Sequence, residues 1–512
     1  MLDYLKSPLA AALALFIVSA ILHFGWIGHP NEAVFDEVHF GKFVSGYLTG
    51  EYYFDIHPPL GKLMIAGVAK LADFEPRYGF LNIGEHYPDN KYIWLRVMPA
   101  LFGSLLVPLV FLLALRLSRS LTASILAGFF ITFENALLVQ SKFILMDSFL
   151  LFFGFLGLYL FLCSRDFFAP AQDGNTRIEK RERDSQSVLK SEETRWWGLW
   201  AVLGSGAALG LSISIKWTGV SFLGLALLLG LVGIIRRMRD RDDYTRMLYG
   251  YGILIIVPFL LYISFFYIHF KLLPKPGPGD GFMTSRFHES RATGYPPGDF
   301  LANFRELNKE MFAANRRITT EHSYSSTWRT WPFMMRSVYY WNKDIQASPE
   351  SDDRGGSTSG GAGFMRIYLL GNPFVWWTSS ILTGIFLVLL VRNSVVRILA
   401  GLAYTRRKAR IIKLEHPLTR EDIVLAIGWA ANLVPFAFIG RVMFLYHYFA
   451  ALIFAVIIAA IMIERLRKGA KSVLALVIIL TILGFYIITP VTYGSLLRES
   501  WPSSIFWFQS WI

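Results

Sequence analysis

Ile93-Trp94-Leu95-Arg96-Val97-Met98-Pro99-Ala100-Leu101-Phe102-Gly103-Ser104-Leu105-Leu106-Val107-Pro108-Leu109-Val110-Phe111-Leu112-Leu113-Ala114-Leu115 carries a single charged residue, Arg96. A run of about 20 such residues can cross a bilayer as a helix. Backbone in lipid must satisfy its own hydrogen bonds, which makes the helix the expected form. Comparable runs recur along the chain, about eleven in all by the same length criterion. They lie near 9–28, 93–115, 121–140, 143–163, 196–214, 217–235, 247–269, 374–391, 422–440, 443–463 and 473–490. The 512-residue chain is 54% hydrophobic and 16% aromatic, with a mean hydropathy of +0.43. These values exclude an ordinary soluble domain and predict an all-α polytopic membrane protein.

The formal charge is +13 and the pI about 9.6. On a soluble domain that excess would suggest nucleic acid. Here it sits in short loops: Arg116 and Arg119; Arg236, Arg237, Arg239, Arg241 and Arg246; Arg406, Arg407, Lys408, Arg410 and Lys413; Arg465, Arg467, Lys468 and Lys471. The positive-inside rule makes that side cytoplasmic, together with the N-terminus and the mixed-charge connection 164–195, read as solvated. The first run has only Lys6 before it and no small-residue cleavage site, so it reads as a retained helix. The segments 29–92 and 270–373 then face outward, as does the chain from Trp501. Cys163 is the sole cysteine, which excludes an intrachain disulfide. Three regions follow: an N-terminal membrane region 1–270 containing the loop 29–92, a large external loop 271–373, and a C-terminal membrane region 374–512.

The loop before the quoted run holds the densest chemistry: Phe35-Asp36-Glu37-Val38-His39-Phe40, then Phe54-Asp55-Ile56-His57-Pro58-Pro59-Leu60-Gly61-Lys62. Phe40, Phe43, Val44, Tyr47 and Leu48 share one helical face. So do Leu60, Leu63, Met64, Val68 and Leu71, behind a Pro-Pro helix start. Two interfacial helices are predicted. A third amphipathic helix carries Phe300, Phe304, Leu307 and Met311. The aromatic run Trp328 to Trp341 suits the headgroup level, and Gly355 to Gly363 reads as a flexible linker.

Asp36-Glu37 alone would read as a solvated acidic helix start. Beside His39, Asp55 and His57 at a membrane exit, it reads as a general base with a neighbouring carboxylate. A divalent metal site ranks below this, since no tight ligand spacing is present. Lys62 reads equally as a snorkelling lysine or an anion ligand. Lys142 and Asp147 suggest a buried ion pair, and Glu134-Asn135 a polar lining, because a charge at membrane depth costs at least ~2.5–3.5 kcal/mol. Arg96, Lys216 and Arg441, with His447 nearby, are outward cations suited to an anion such as a phosphate. No P-loop or dinucleotide fingerprint is evident, which argues against nucleotide-driven transport.

Several segments, in order, carry a family resemblance: the two loop motifs above, Leu95-Arg96 with Pro99-Ala100-Leu101-Phe102-Gly103, Glu134-Asn135-Ala136-Leu137, Leu145-Met146-Asp147-Ser148, Ile213-Ser214-Ile215-Lys216-Trp217-Thr218-Gly219, Gly277-Pro278-Gly279-Asp280-Gly281-Phe282-Met283 and Phe444-Leu445-Tyr446-His447-Tyr448. The set resembles the protein O-mannosyltransferases, glycosyltransferases of the GT-C class. Eukaryotic members carry a β-trefoil MIR domain in the large external loop. The loop here is too short for one, so the chain looks like a bacterial or archaeal member.

The resemblance implies transfer of mannose from polyprenyl-phosphate-mannose to Ser/Thr hydroxyls of exported proteins, with inversion, on the outer face of the cell membrane. It implies Asp36 as base and Glu37 as its partner. Arg96 and Arg441, with Lys216, His447, Lys62, His57 and Asp55, are the implied donor-phosphate and substrate-binding residues. No metal and no cofactor beyond the lipid-linked donor is expected. The alternative is a related transferase acting on a lipid or glycan acceptor, as in aminoarabinose addition to lipid A. A transporter accounts for intramembrane charges but not for the outer loop, and a scaffold leaves Asp36-Glu37 without a reason.

Overall fold

The computed structural model describes residues 7–76, 78–164, 185–240, 244–345, 363–402, 419–466, 470–498 and 502–512. The basic cluster 406–413, the charged connection 179–184, positions 355–362 of the expected linker and Trp501 lie outside the described residues.

Among the described residues, eight helices are long and apolar enough to cross a membrane. They are Tyr92–Ser118, Trp196–Ile215, Trp217–Arg239, Thr245–Leu272, Pro373–Val396, Arg420–Phe438, Leu445–Glu464 and Lys471–Tyr493. Each coincides with an expected run. The other three runs differ. Pro8–Phe24 and Asp147–Cys163 are shorter apolar helices, and the run 121–140 is broken into Leu121–Thr132 and Asn135–Lys142, bent by 56°. The break has a local cause. The Glu134 carboxylate turns back to accept the Leu137 N–H at 2.8 Å and the Asn372 N–H at 2.8 Å. It thereby caps the second helix. Glu134 is fully buried, and Asn135 donates to Thr492 Oγ1 at 2.8 Å. This pair is a joint between elements, not the expected cavity lining.

Two compact units are present. One comprises Met1–Gly41, Arg77–Leu145 and Ile318–Ile512. In it Pro8–Phe24, Leu121–Thr132 and Asn135–Lys142 pack on Tyr92–Ser118, and Phe449–Glu464 is buried against Pro373–Leu402, Arg420–Ala431 and Leu121–Thr132. This unit also holds a sheet, an addition to the all-α expectation: β1 (Val338–Ile345), β2 (Gly363–Leu369) and β3 (Leu496–Arg498), antiparallel in that order. Val338-Tyr339-Tyr340-Trp341 is β-branched and aromatic, a composition that favours strand as much as membrane interface. Trp331 and Trp341 are fully buried rather than at a headgroup surface.

The second unit comprises Lys42–Pro76 and Met146–Arg317. Ser185–Ile215 is its hub, packed on Asp147–Cys163 and Thr245–Leu272. The helix Leu60–Leu71 turns Leu60, Lys62, Ile65, Ala66 and Ala69 inward. Of its expected apolar stripe only Leu60 is inward: Leu71 is exposed and Leu63, Met64 and Val68 are half-buried. An outward apolar face of this kind suits an interfacial helix. The helix Phe300–Arg317 forms as expected and buries Leu307 and Met311.

Candidate active site

In the first unit the site is built on a turn. Glu37 N–H donates to Val34 O at 2.9 Å, and the N–H groups of His39 and Phe40 donate to Asp36 O. Asp36 therefore stands at the N-terminus of the helix Glu37–Thr49, where the helix dipole favours a carboxylate. Phe35, just before it, has φ +47°. A non-glycine residue rarely adopts that region. Two contacts hold it there: the Phe35 N–H donates to Tyr340 O of β1 at 3.1 Å, and the rings of Phe35 and Tyr340 stack at 4.1 Å. Gly41, one turn into the helix, lies against the buried ring of Phe80. A Cβ there would come within 2.1 Å of that ring.

Glu37 is fully buried and its carboxylate accepts five hydrogen bonds. Oε1 takes the Arg96 Nε–H at 2.7 Å and the Ile144 N–H at 3.0 Å. Oε2 takes Arg96 Nη2 at 2.7 Å, the Val34 N–H at 2.9 Å and the Tyr87 hydroxyl at 3.1 Å. Arg96 is equally occupied. Beyond Glu37 it donates to the carbonyls of Ile27 at 3.2 Å, Pro30 at 2.8 Å and Glu32 at 2.9 Å. The rings of Tyr87, Tyr92 and Phe143 surround its guanidinium at 4.9–5.7 Å. A carboxylate and a guanidinium so engaged form a bidentate clamp. Burial first, then the adjoining Glu37 charge, pushes the Tyr87 phenol well above its ordinary range. Glu37 and Arg96, expected as substrate-contacting groups, are bonded to each other and to the surrounding chain. Their hydrogen bonds go to the segment 27–37, to Ile144 and to Tyr87. Asp36, half-buried, immediately precedes Glu37 in the chain.

Farther along the same unit, Arg441 and His447 lie beside an aromatic cluster. His447 stacks on Tyr446 at 4.7 Å and on Trp331 at 5.8 Å. Arg441 is half-buried. Burial pulls its guanidinium down, against Tyr446, which pulls it up.

In the second unit Lys62 is buried and donates to the Asp55 carboxylate and to His57 O at 2.8 Å. Burial lowers the Lys62 ammonium below its usual range, with Asp55 opposing and Lys216 assisting. The backbone around Asp55 is strapped down. The Lys275 N–H donates to Gly50 O, the Tyr52 N–H to Lys275 O and the Gly279 N–H to Tyr52 O, at 2.9–3.1 Å. Phe54 stacks on Phe282 at 4.3 Å. Gly277 and Gly279 pass so close that a Cβ would fall 2.3 Å from Tyr52 O and 2.4 Å from Phe54 N. His57 is half-buried, and the Ile56 carbonyl beside it accepts from Asn315 Nδ2 at 3.0 Å. Lys216 reaches both oxygens of Asp147, at 2.8 and 2.9 Å. The expected Lys142–Asp147 pair is therefore not formed. Lys142 instead donates to Gly25 O and sits over the Tyr493 ring at 4.4 Å.

The structure thus joins Glu37 with Arg96, Asp55 with Lys62 and His57, and Lys216 with Asp147. Tyr87, Glu32 and Tyr340 also shape the site and went unnoticed in the sequence. Only Tyr340 had a signal, its place in an aromatic run.

The described chain is similar in fold to a solved S. cerevisiae structure, the protein O-mannosyltransferase Pmt1-Pmt2 complex bound to the sugar donor. The TM-score is 0.77 at 18% identity, over 99% of this chain and 92% of that one. The fold is that of a polytopic α-helical glycosyltransferase of the GT-C class. Residues 13–274 match the family model described as dolichyl-phosphate-mannose-protein mannosyltransferase, and residues 300–511 that of the C-terminal four-transmembrane region of protein O-mannosyltransferase. The chain belongs to this mannosyltransferase family. Protein O-mannosyltransferase 1 of Drosophila melanogaster is 34% identical over 333 residues, covering 64% of this chain and 34% of that protein. Dolichyl-phosphate-mannose–protein mannosyltransferase 4 of Candida albicans is 35% identical over 289 residues, covering 55% and 35%. The chain spans about a third of the length of the curated relatives it matches.

Proposed function

We propose that this protein transfers mannose from a polyprenyl-phosphate carrier to a Ser or Thr hydroxyl of a protein acceptor. Asp36 takes the hydroxyl proton as the oxygen attacks the anomeric carbon. The bond from that carbon to the phosphate oxygen breaks, and the polyprenyl phosphate leaves with the electron pair. One displacement inverts the anomeric centre. A phosphate leaving group needs no general acid, so a single carboxylate suffices, unlike the pair in ordinary glycoside hydrolysis. A hydroxyl is a weak nucleophile, and the held geometry of the base contributes through orientation. The supporting observation is the division of labour in the Asp36-Glu37 pair. Glu37 is fully buried in the clamp, and Asp36 is half-buried at a helix N-terminus within a family-matched segment.

Arg441 and His447 in the first unit and, separately, Lys62 and Lys216 in the second are the alternative candidates for holding a donor phosphate. Fixed cations stabilise the charge that develops on a leaving phosphate. The reaction needs no metal in this reading. The site faces outward and the N-terminus is cytoplasmic, on the strength of the basic loops after the apolar runs.

The test is transfer of labelled mannose by purified protein from polyprenyl-phosphate-mannose to a Ser/Thr peptide, with and without EDTA. Chelator-insensitive, α-linked peptide product is expected. Label appearing only in a lipid or glycan acceptor would overturn the protein-directed reading, and loss of activity in EDTA would overturn the metal-free mechanism.

A further inference from the structure

Arg305, Lys309, Phe312 and Arg316 share one face of the helix Phe300–Arg317, and all four side chains are exposed. The opposite face fixes the depth of this helix within the second unit. The Phe300 ring meets Phe270 at 6.1 Å, and the Phe304 ring meets Phe266 at 5.2 Å and Tyr262 at 6.0 Å. The Tyr262 hydroxyl donates to Asn308 Oδ1 at 2.5 Å. The helix therefore descends along the last turns of Thr245–Leu272. Tyr262 is tied in turn to Trp217, whose Nε1–H donates to its hydroxyl at 2.9 Å. The rings of Phe312 and Trp217 lie 6.4 Å apart. Trp217 is the first residue of the apolar span Trp217–Arg239, and a tryptophan at the end of a span marks the headgroup level. The half of the helix from Asn308 to Arg316 thus reaches the boundary between headgroups and acyl chains.

The charge on this face is unbalanced. Both carboxylates of the helix are engaged elsewhere. Glu306 accepts the N–H and the hydroxyl of Thr284 at 2.7 and 3.0 Å, and Glu310 accepts from Arg317. Arg316 lies over the Phe312 ring at 5.9 Å. Arg305 and Lys309 form no ion pair among the described residues.

We infer that this face is a docking site for anionic phospholipid, with phosphate headgroups on Arg305, Lys309 and Arg316 and acyl chains against Phe312. The inference goes beyond mannosyl transfer and does not depend on it. Exposed cations at the level of an anionic leaflet are attracted to its headgroups. A helix face that pairs basic residues with an exposed aromatic ring is the form that lies in such an interface. An acidic peptide in water would have no use for Phe312, an apolar ring at the depth where acyl chains begin. Arg305 and Arg316 are separated by about 16 Å of helix, more than one phosphate spans, so the face fits neighbouring headgroups and not a single donor phosphate.

The test is retention of phosphatidylglycerol against phosphatidylcholine of the same chain length by the full-length protein in detergent, read by native mass spectrometry at low and high salt. Wild-type protein is expected to hold phosphatidylglycerol about tenfold more tightly. High salt should remove that preference, because exposed charges are screened. Arg305→Gln with Lys309→Gln should lower phosphatidylglycerol affinity about tenfold and leave phosphatidylcholine affinity unchanged. Its unfolding temperature should stay that of the parent, since neither side chain has an ion-pair partner among the described residues. Equal retention of the two lipids by wild type would overturn the inference, as would unchanged phosphatidylglycerol affinity in the variant. Displacement of phosphatidylglycerol by stoichiometric polyprenyl phosphate would also overturn it, making the face a donor surface. So would an acidic peptide held in preference to phosphatidylglycerol and lost in the same variant, which would make it a protein-docking surface.

Discussion

The Glu37–Arg96 clamp and the Lys216–Asp147 pair are both carboxylate–cation contacts at 2.7–2.9 Å, yet they differ in burial and in the kind of cation. Both partners of the clamp are fully buried, and every N–H of Arg96 has an acceptor within the chain. Lys216 and Asp147 keep about a tenth of their side chains in contact with solvent, 12% and 9%. A lysine is a point charge that can swing to another anion, whereas a guanidinium fork is committed by its geometry. The contrast teaches that a charge pair in such a protein is read by its burial and by the geometry of its cation.

Breaking the clamp should give the largest loss. Arg96→Ala leaves the Glu37 carboxylate buried without its cation, a change of about 3–5 kcal/mol. Thermal unfolding should shift downward and transfer should vanish. Arg96→Lys should not restore activity, since one ammonium cannot replace five directed donors. Lys216→Ala sharpens the other side of the contrast: it should raise the donor KM and lower the unfolding temperature less than Arg96→Ala does, because this pair is not fully buried. An equal loss of stability in the two variants would erase the distinction. Gly279→Ala comes next. Its Cβ meets the backbone of Tyr53 and Phe54, and overpacking of this kind costs about 1–3 kcal/mol. Displacement of the Asp55 segment should be visible as faster proteolysis near Tyr53. Tyr87→Phe, which removes one of five hydrogen bonds to Glu37, should give the smallest effect, about 0.5–1.5 kcal/mol in unfolding, because the other donors stay in place.

Much of this was legible in the chain. Apolar length alone located the helices, because a bilayer demands about 20 residues per crossing. The bend at Glu134 was not visible, since it depends on Asn372, far away in sequence. The sheet was hidden because Tyr339, Tyr340 and Trp341 suit an interface as well as a strand. Within the site, the acidic pair stood out by its position after the first apolar run. Asp36 as base and Glu37 as its partner came from the family resemblance, not from the residue types alone. Glu37 is identified as a holding group by Arg96, Ile144 and Tyr87, and these partners come together only in the fold. Likewise Lys142 and Asp147, five positions apart, suggested a pair that three-dimensional partners override.

The central claim is that Asp36 is the base and the clamp its holder. The most direct measurement is the turnover of Asp36→Asn with labelled polyprenyl-phosphate-mannose and a Ser/Thr peptide, beside its unfolding curve and its donor affinity. The account predicts turnover reduced to background, with unfolding and donor binding close to those of the parent. Full turnover in Asp36→Asn would contradict it.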